Sequence, residues 1–188
     1  ERVLENLMAL HLWHNLKSGP NPPEVVYAVI EVPKGSRNKY EYSKTAGVIK
    51  LDRVLYSPLH YPGDYGFIPQ TYFDDNDPTD ILVMMNEATF PGCVVEARVL
   101  GILKMIDKGE LDYKVLAVPA NDPNFEHIRT FEDVPKHFLN EVQHFFMTYK
   151  QLEGVTVENQ GWADTKETHQ QITRSIQMYH DKFPSMGV

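Results

Sequence analysis

Residues Cys93 to Pro119 read CVVEARVLGILKMIDKGELDYKVLAVP. CVVEARVLGILKM (Cys93 to Met105) and KVLAVP (Lys114 to Pro119) are rich in Val, Leu and Ile and read as two strands. Between them lies a loop carrying Asp107, Glu110 and Asp112. Working upstream, ILVMM (Ile81 to Met85) is a further short strand. VIKLDRVL (Val48 to Leu55) alternates apolar and polar residues at period two, as a half-buried strand does. KYEY (Lys39 to Tyr42) is short and alternating, and VVYAVIEV (Val25 to Val32) is β-branched and ends at Pro33. Nine of the 13 prolines lie between Pro20 and Pro91, where they suit turns and strand ends and would break long helices. Downstream the period changes. Pro135 suits a first helical position. Phe138, Leu139, Val142, Phe145, Phe146 and Tyr149 recur at helical spacing until Gly154. VTVE (Val155 to Glu158) returns as a strand. Asp164 with Glu167 has the form of a capping box, and Ile172, Ile176, Tyr179 and Phe183 mark the buried stripe of a last helix. Glu1 to Leu10 reads as a short helical arm. Strands first and helices last predict an α+β, mainly β domain, with a closed or strongly curled sheet and helices packed outside.

The 188 residues suit a single domain over 1–188, with 1–12 as an N-terminal arm. At 42% hydrophobic and 23% charged, the chain is neither disordered nor collagen-like. Its one cysteine, Cys93, excludes an internal disulfide and a multi-thiolate zinc site. No apolar run approaches the roughly 20 residues that a helix needs to span a bilayer, so no membrane partner is expected. No signal peptide is visible, and the expectation is a cytoplasmic protein. Eighteen basic against 26 acidic side chains give a net charge of −8. Binding nucleic acid through its phosphates calls for a basic surface, so nucleic acid is not expected as a partner.

The acids are gathered. Asp74-Asp75-Asn76-Asp77-Pro78-Thr79-Asp80 holds four aspartates in seven residues, on a turn that enters a strand. Carboxylates this close repel one another unless cations neutralise them. Hard divalent ions such as Mg²⁺ bind through carboxylate oxygens. If the strands carrying this loop and the Asp107–Asp112 loop are neighbours, the two sets can share ions, and a pair of metals suits phosphoryl transfer. A polyanionic substrate also needs basic groups facing the acids. Lys39, Arg53, Lys114 and Lys150 are candidates, with Tyr65 and Tyr149 as hydrogen-bond donors.

Other motifs compete. An EF-hand loop started at Asp75 places Asp80 and Asn86 where Gly and Glu are required, so it fails. Asp75-Asn76-Asp77-Pro78-Thr79 matches the D-x-D-x-T pattern of haloacid-dehalogenase-type phosphotransferases, with Asp75 as a covalent nucleophile. That pattern requires a parallel strand before the Asp, whereas a strand follows it here. A non-enzymatic OB-like binding module would need a basic groove with stacking aromatics, against the charge read above. His11 and His14 lack a third ligand nearby and read as surface or capping histidines. No phosphate-cradling Gly-rich motif exists among the 11 glycines.

Asp75-Asn76-Asp77-Pro78-Thr79-Asp80-Ile81 resembles the D-x-D-P-x-D signature of the soluble family I inorganic pyrophosphatases, most like the compact prokaryotic type. Its surroundings resemble the family too: EVPKGSRNKYEY, LDRVLYSPLHYPGDYGFIPQTYFDDNDPTDILV, GILKMIDKGELDYKVLAVP and HFFMTYKQLEG. The resemblance runs from about Trp13 to Phe183. It implies a five-stranded, OB-like closed β-barrel with flanking helices, and hydrolysis of pyrophosphate to two orthophosphates. Metal carboxylates would be Asp75, Asp80, Asp107 and Asp112, holding several Mg²⁺, with Mn²⁺ or Zn²⁺ as substitutes. Asp77 would be the general base for in-line attack by a metal-bridging hydroxide, without a covalent intermediate. Lys39, Arg53, Tyr65, Lys114, Tyr149 and Lys150 would hold the substrate, and Glu31 and Glu41 would line the cavity. By the same analogy the assembly is a homohexamer. The departures lie at His60, Gly63 and Asp64, around Tyr65.

Overall fold

The apolar runs of the first two thirds become strands, and the periodic runs of the last third become helices. The computed structural model describes residues 11–185, so the helical arm read over Glu1 to Leu10 lies outside it. The elements in chain order are β1 (Val25–Val32), β2 (Asn38–Ser43), β3 (Val48–Val54), β4 (Asp64–Phe67), β5 (Asp80–Val83), β6 (Val94–Asp107), β7 (Glu110–Leu111), β8 (Lys114–Pro119), α1 (Lys136–Thr148), β9 (Val157–Ala163) and α2 (Thr165–Lys182).

Five of these strands close into a ring. β1 pairs antiparallel with β4, and β4 antiparallel with β5. β5 runs parallel to β8, and β8 antiparallel to β6. β6 then returns antiparallel to β1, with Val25 opposite Arg98 and Val29 opposite Val94. β7 and β9 also pair with β6, while β2 and β3 form a separate hairpin. This is the OB-like closed arrangement expected, with α1 and α2 against it. Among the described strands, β5–β8 is the one parallel pair. Among the described residues, the alternating βα units of a haloacid-dehalogenase fold are not formed.

Side-chain alternation sends successive residues to two clusters. β8 is buried at every position. Val115 and Ala117 join Val26, Ile81, Val99 and Ile172 of α2. Leu116 and Val118 join Tyr61, Leu103 and the α1 residues Val142, Phe145 and Phe146. Each such Val, Leu, Ile or Phe side chain contributes about 1.5–3 kcal/mol by leaving water. α1 starts one residue after Pro135, which serves as its cap. The chain beyond α1 makes a short 3₁₀ turn and stops at Gly154, whose φ of 74° is left-handed. At the start of α2, Asp164 accepts from the Glu167 amide at 2.9 Å. The Glu167 carboxylate goes to Lys104 at 2.8 Å instead of closing the capping box.

Two readings need correction. β3 is not half-buried: Val48, Leu51 and Val54 are 54%, 53% and 47% exposed. Val48 and Leu51 lie on opposite faces, and a two-stranded hairpin has no second layer to cover both. The strand β4, Asp64-Tyr65-Gly66-Phe67, was missed because Pro62, Gly63 and Pro69 make its surroundings read as a turn. Gly66 is required there. A Cβ on it would lie 1.8 Å from the Val29 carbonyl oxygen, so only glycine lets β4 approach β1. No helix of the described residues is long and apolar enough to cross a membrane.

Candidate active site

Parallel pairing of β5 and β8 brings the two acidic loops to the same end of the ring. Asp80 opens β5 and stands opposite Lys114, which opens β8. The turn 74–79 precedes one strand, and Asp107, Glu110 and Asp112 precede the other. The neighbour relation that the sequence left conditional is therefore met.

Lys114 sits between the loops, 4% exposed. Its ammonium pairs with both Asp80 and Asp112 and reaches the Tyr65 hydroxyl at 3.1 Å. It also lies 5.5 Å from the centre of the Tyr65 ring. Burial alone would lower its pKa, but Asp112 and Asp80 outweigh burial and hold it well above the usual lysine value. Lys150 makes the corresponding pair with Asp107. Its neighbour Tyr149 stacks on Phe145, 5.1 Å between ring centres. Burial raises the phenols of Tyr65 and Tyr149, so both stay protonated at neutral pH. Among the described residues no lysine or arginine pairs with Asp75: its Oδ1 accepts the Asp77 amide at 3.1 Å. Burial first, then the charges of Asp80 and Asp112, push Asp75 up to about 7.

The β2–β3 hairpin supplies the facing wall. Lys39 and Arg53 are cross-strand partners. Lys39 pairs with Glu41 and lies 3.6 Å from Asp52. Arg53 donates to Asp52 at 2.6 Å and to Glu153 at 3.1 Å. Arg53 is thus held at the hairpin by two acids outside the expected set. Glu31 on β1 accepts the Tyr42 amide at 2.6 Å, and burial pushes it up to about 8. Lys44, on the hairpin turn, pairs with Asp77. A cleft of about 290 Å³ lies between hairpin and ring, and Glu31, Lys39, Glu41, Tyr65, Asp77 and Asp80 are among its lining residues. Lys114 and Asp112 join this cleft through the pair with Asp80, while Asp107, Tyr149 and Lys150, like Asp75 and Arg53, are not among its lining residues.

Lys44, Asp52, Tyr61 and Glu153 also stand at or beside this site, and the sequence alone does not single them out. A lone lysine on a turn and single acids near a strand or helix end carry no pattern of their own. Tyr61 is buried and packs 5.3 Å from Tyr65 and 4.7 Å from Phe145, ring centre to ring centre. Its signal was its place four residues before Tyr65. Asp74, by contrast, is held away by Arg174 through two hydrogen bonds of 3.0 and 2.8 Å. Asp64, one of the departures, is fully buried and accepts from the Lys34 and Thr89 amides at 2.7 and 3.0 Å. It ties two loops behind Tyr65.

The donor set suits a hard cation: the carboxylates of Asp75, Asp80, Asp107 and Asp112 offer oxygen only. Asp107 Oδ1 is buried without a partner. In this conformation the lysine ammonium groups stand between the acids. Accordingly, no group of three or more His, Cys, Asp or Glu side chains among the described residues is gathered as a metal cage.

The family model described as inorganic pyrophosphatase matches residues 28–180. An inorganic pyrophosphatase of Haloferax volcanii is 50% identical, covering 93% of this chain and 99% of that protein. A soluble inorganic pyrophosphatase of Oryza sativa subsp. japonica is 43% identical over 95% of this chain and 86% of its own. The crystal structure of the inorganic pyrophosphatase from Thermus thermophilus superposes with a TM-score of 0.87 at 47% identity, covering 90% of this chain and 99% of that one. Opposed acidic loops on an OB-like ring, and relatives alike over nearly their whole length, lead to one conclusion: the chain belongs to the inorganic pyrophosphatase family.

Proposed function

We propose that the chain hydrolyses inorganic pyrophosphate to two orthophosphates in a Mg²⁺-dependent reaction. The observation that carries this reading is the meeting of two acidic loops, with lysines between them, at one end of the β5–β8 pair. Asp75, Asp80, Asp107 and Asp112 are the residues that would hold Mg²⁺. When bound, the metal acidifies water and screens phosphate charge.

The chain's own groups do the rest. Asp77 accepts the proton of the attacking water. Lys39 and Tyr65 hold the phosphoryl group under attack. Arg53, Tyr149 and Lys150 hold the departing phosphate. Tyr65 and Tyr149 are donors at neutral pH because burial keeps their phenols protonated. Lys114 stays an ammonium for the reason given above and neutralises charge between the loops. Lys114 and Lys150 rest on carboxylates here, and they become free for phosphate once those carboxylates have another counter-charge. Glu31, pushed up to about 8, is mostly protonated at neutral pH and adds no full charge beside Glu41. Catalysis of this kind is positioning plus electrostatic stabilisation.

The test is phosphate release from pyrophosphate and from an organic phosphomonoester, each with Mg²⁺ and with EDTA. Release from pyrophosphate alone, abolished by EDTA, supports the reading. Preference for the monoester, with a phosphoaspartate trapped on Asp75, would overturn it.

A further inference from the structure

The segment 11–16 lies upstream of the residues matched by the family model. It is packed against both walls of the site. On the acidic-loop side, Trp13 is 5% exposed and its Nε1 donates to the Thr71 carbonyl at 2.8 Å. Thr71 Oγ1 accepts the Thr79 amide at 2.9 Å, one residue before Asp80. The Gln70 side chain donates to the His14 carbonyl at 2.8 Å. On the hairpin side, His11 Nε2 lies 2.8 Å from the Lys44 carbonyl, and the Leu12 amide donates to the Tyr42 hydroxyl at 3.0 Å. His11 and His14 are therefore half-buried packing groups and not free surface groups. They stack at 4.4 Å, and His14 Nδ1 is 2.7 Å from the Tyr179 hydroxyl of α2.

Lys44 joins the two walls. Its main chain is held by His11, its ammonium lies 5.4 Å from the centre of the Trp13 indole, and that ammonium pairs with Asp77. Asp77 needs such a hold. Its side chain is 55% exposed, on a turn whose preceding residue, Asn76, has a φ of 68°. A carboxylate in that setting has several open rotamers, whereas a general base works only within hydrogen-bond reach of the proton it takes.

We infer that Lys44 is a positioning residue that fixes the Asp77 carboxylate toward the cleft, and that residues 11–16 brace Lys44 in that place. The inference rests on the proposed role of Asp77. A displacement of about 1 Å can cost as much as a hundredfold in rate, so loss of the Lys44 hold, with the backbone of the turn intact, should cost about tenfold.

The experiment is a double-mutant cycle on the full chain with Mg²⁺ and pyrophosphate, reading kcat, KM and Tm. Lys44→Gln should lower kcat about tenfold with KM and Tm nearly unchanged, and Lys44→Arg should restore most of the rate. In the Asp77→Asn background, where the residual rate is read at raised enzyme concentration, Lys44→Gln should cost nothing further. His11→Ala removes the hold on the Lys44 carbonyl together with the ring contacts to His14 and Tyr42, and should lower kcat about threefold with Tm read alongside. An unchanged kcat in Lys44→Gln overturns the inference. So does an equal loss in both backgrounds, because Lys44 would then act independently of Asp77. An unchanged kcat in His11→Ala overturns the bracing role of the segment. Wild-type turnover by Asp77→Asn is a separate result: it removes the base itself, and the inference with it.

Discussion

Asp75 and Glu31 are raised by burial to about 7 and about 8. Both values lie above the ordinary carboxylate range near 4. Between about pH 4 and pH 8 the folded chain therefore holds more protons at these sites than the unfolded chain. The stability they contribute is full below pH 4 and is lost as pH rises through the folded values. In EDTA, the Tm should be higher at pH 6 than at pH 8. A Tm that climbs over that interval would contradict these assignments. Lys114 gives a second prediction. Lys114→Met fills similar space but leaves Asp80 and Asp112 facing each other without their cation. Breaking such a buried arrangement costs about 3–5 kcal/mol, read by urea unfolding without metal. Added Mg²⁺ should recover part of the stability, and no recovery would argue against a shared metal site. Of the proposed site, the residues legible in the sequence are those whose type and spacing chemistry constrains: the aspartates of 75–80, Asp107 and Asp112. Lys44 and Glu153 were not legible. Their role depends only on which segments fold together, and nothing in the spacing of one lysine or glutamate encodes that.

Among the elements, β4 carries the most exacting steric requirement. Its four residues are all buried, and Gly66 faces the Val29 carbonyl. Gly66→Ala should destabilise the chain by about 3 kcal/mol or prevent folding, because the clash is with backbone and cannot be relieved by a rotamer change. A urea midpoint within error of wild type would show that β1 and β4 can separate more than this packing implies. Strands β1, β5, β6 and β8 were legible because each is a long or fully apolar run. β4 was not, since its short length and flanking Pro and Gly imitate a turn. The hairpin β2–β3 was legible as strands but not in its burial. Periodicity reports which residues share a face, not whether another layer covers that face.

For the whole molecule, a net charge of −8 combines with a folding pattern that concentrates acids at one end of a ring. The acidic balance argues against gripping nucleic acid through its phosphates, yet the proposed substrate is itself a polyanion. The arrangement is consistent only if cations complete it. Mg²⁺ should therefore raise the Tm by mass action, by about 2.7 kcal/mol of stability at a hundredfold excess over its Kd. Asp80→Asn combined with Asp112→Asn should abolish most of that gain. The closed-ring fold class could be anticipated from the order of strands and helices. The packing of residues 11–16 against the site could not, because those contacts join positions 30 to 165 residues apart. The most direct test of the central claim is the Mg²⁺-dependent release of phosphate from pyrophosphate by wild type and by Asp77→Asn, with folding checked by Tm. The account predicts rapid release by wild type, and a loss of at least about a hundredfold in the variant at unchanged Tm. Equal turnover by the two proteins, or no release by wild type with Mg²⁺ present, would contradict it.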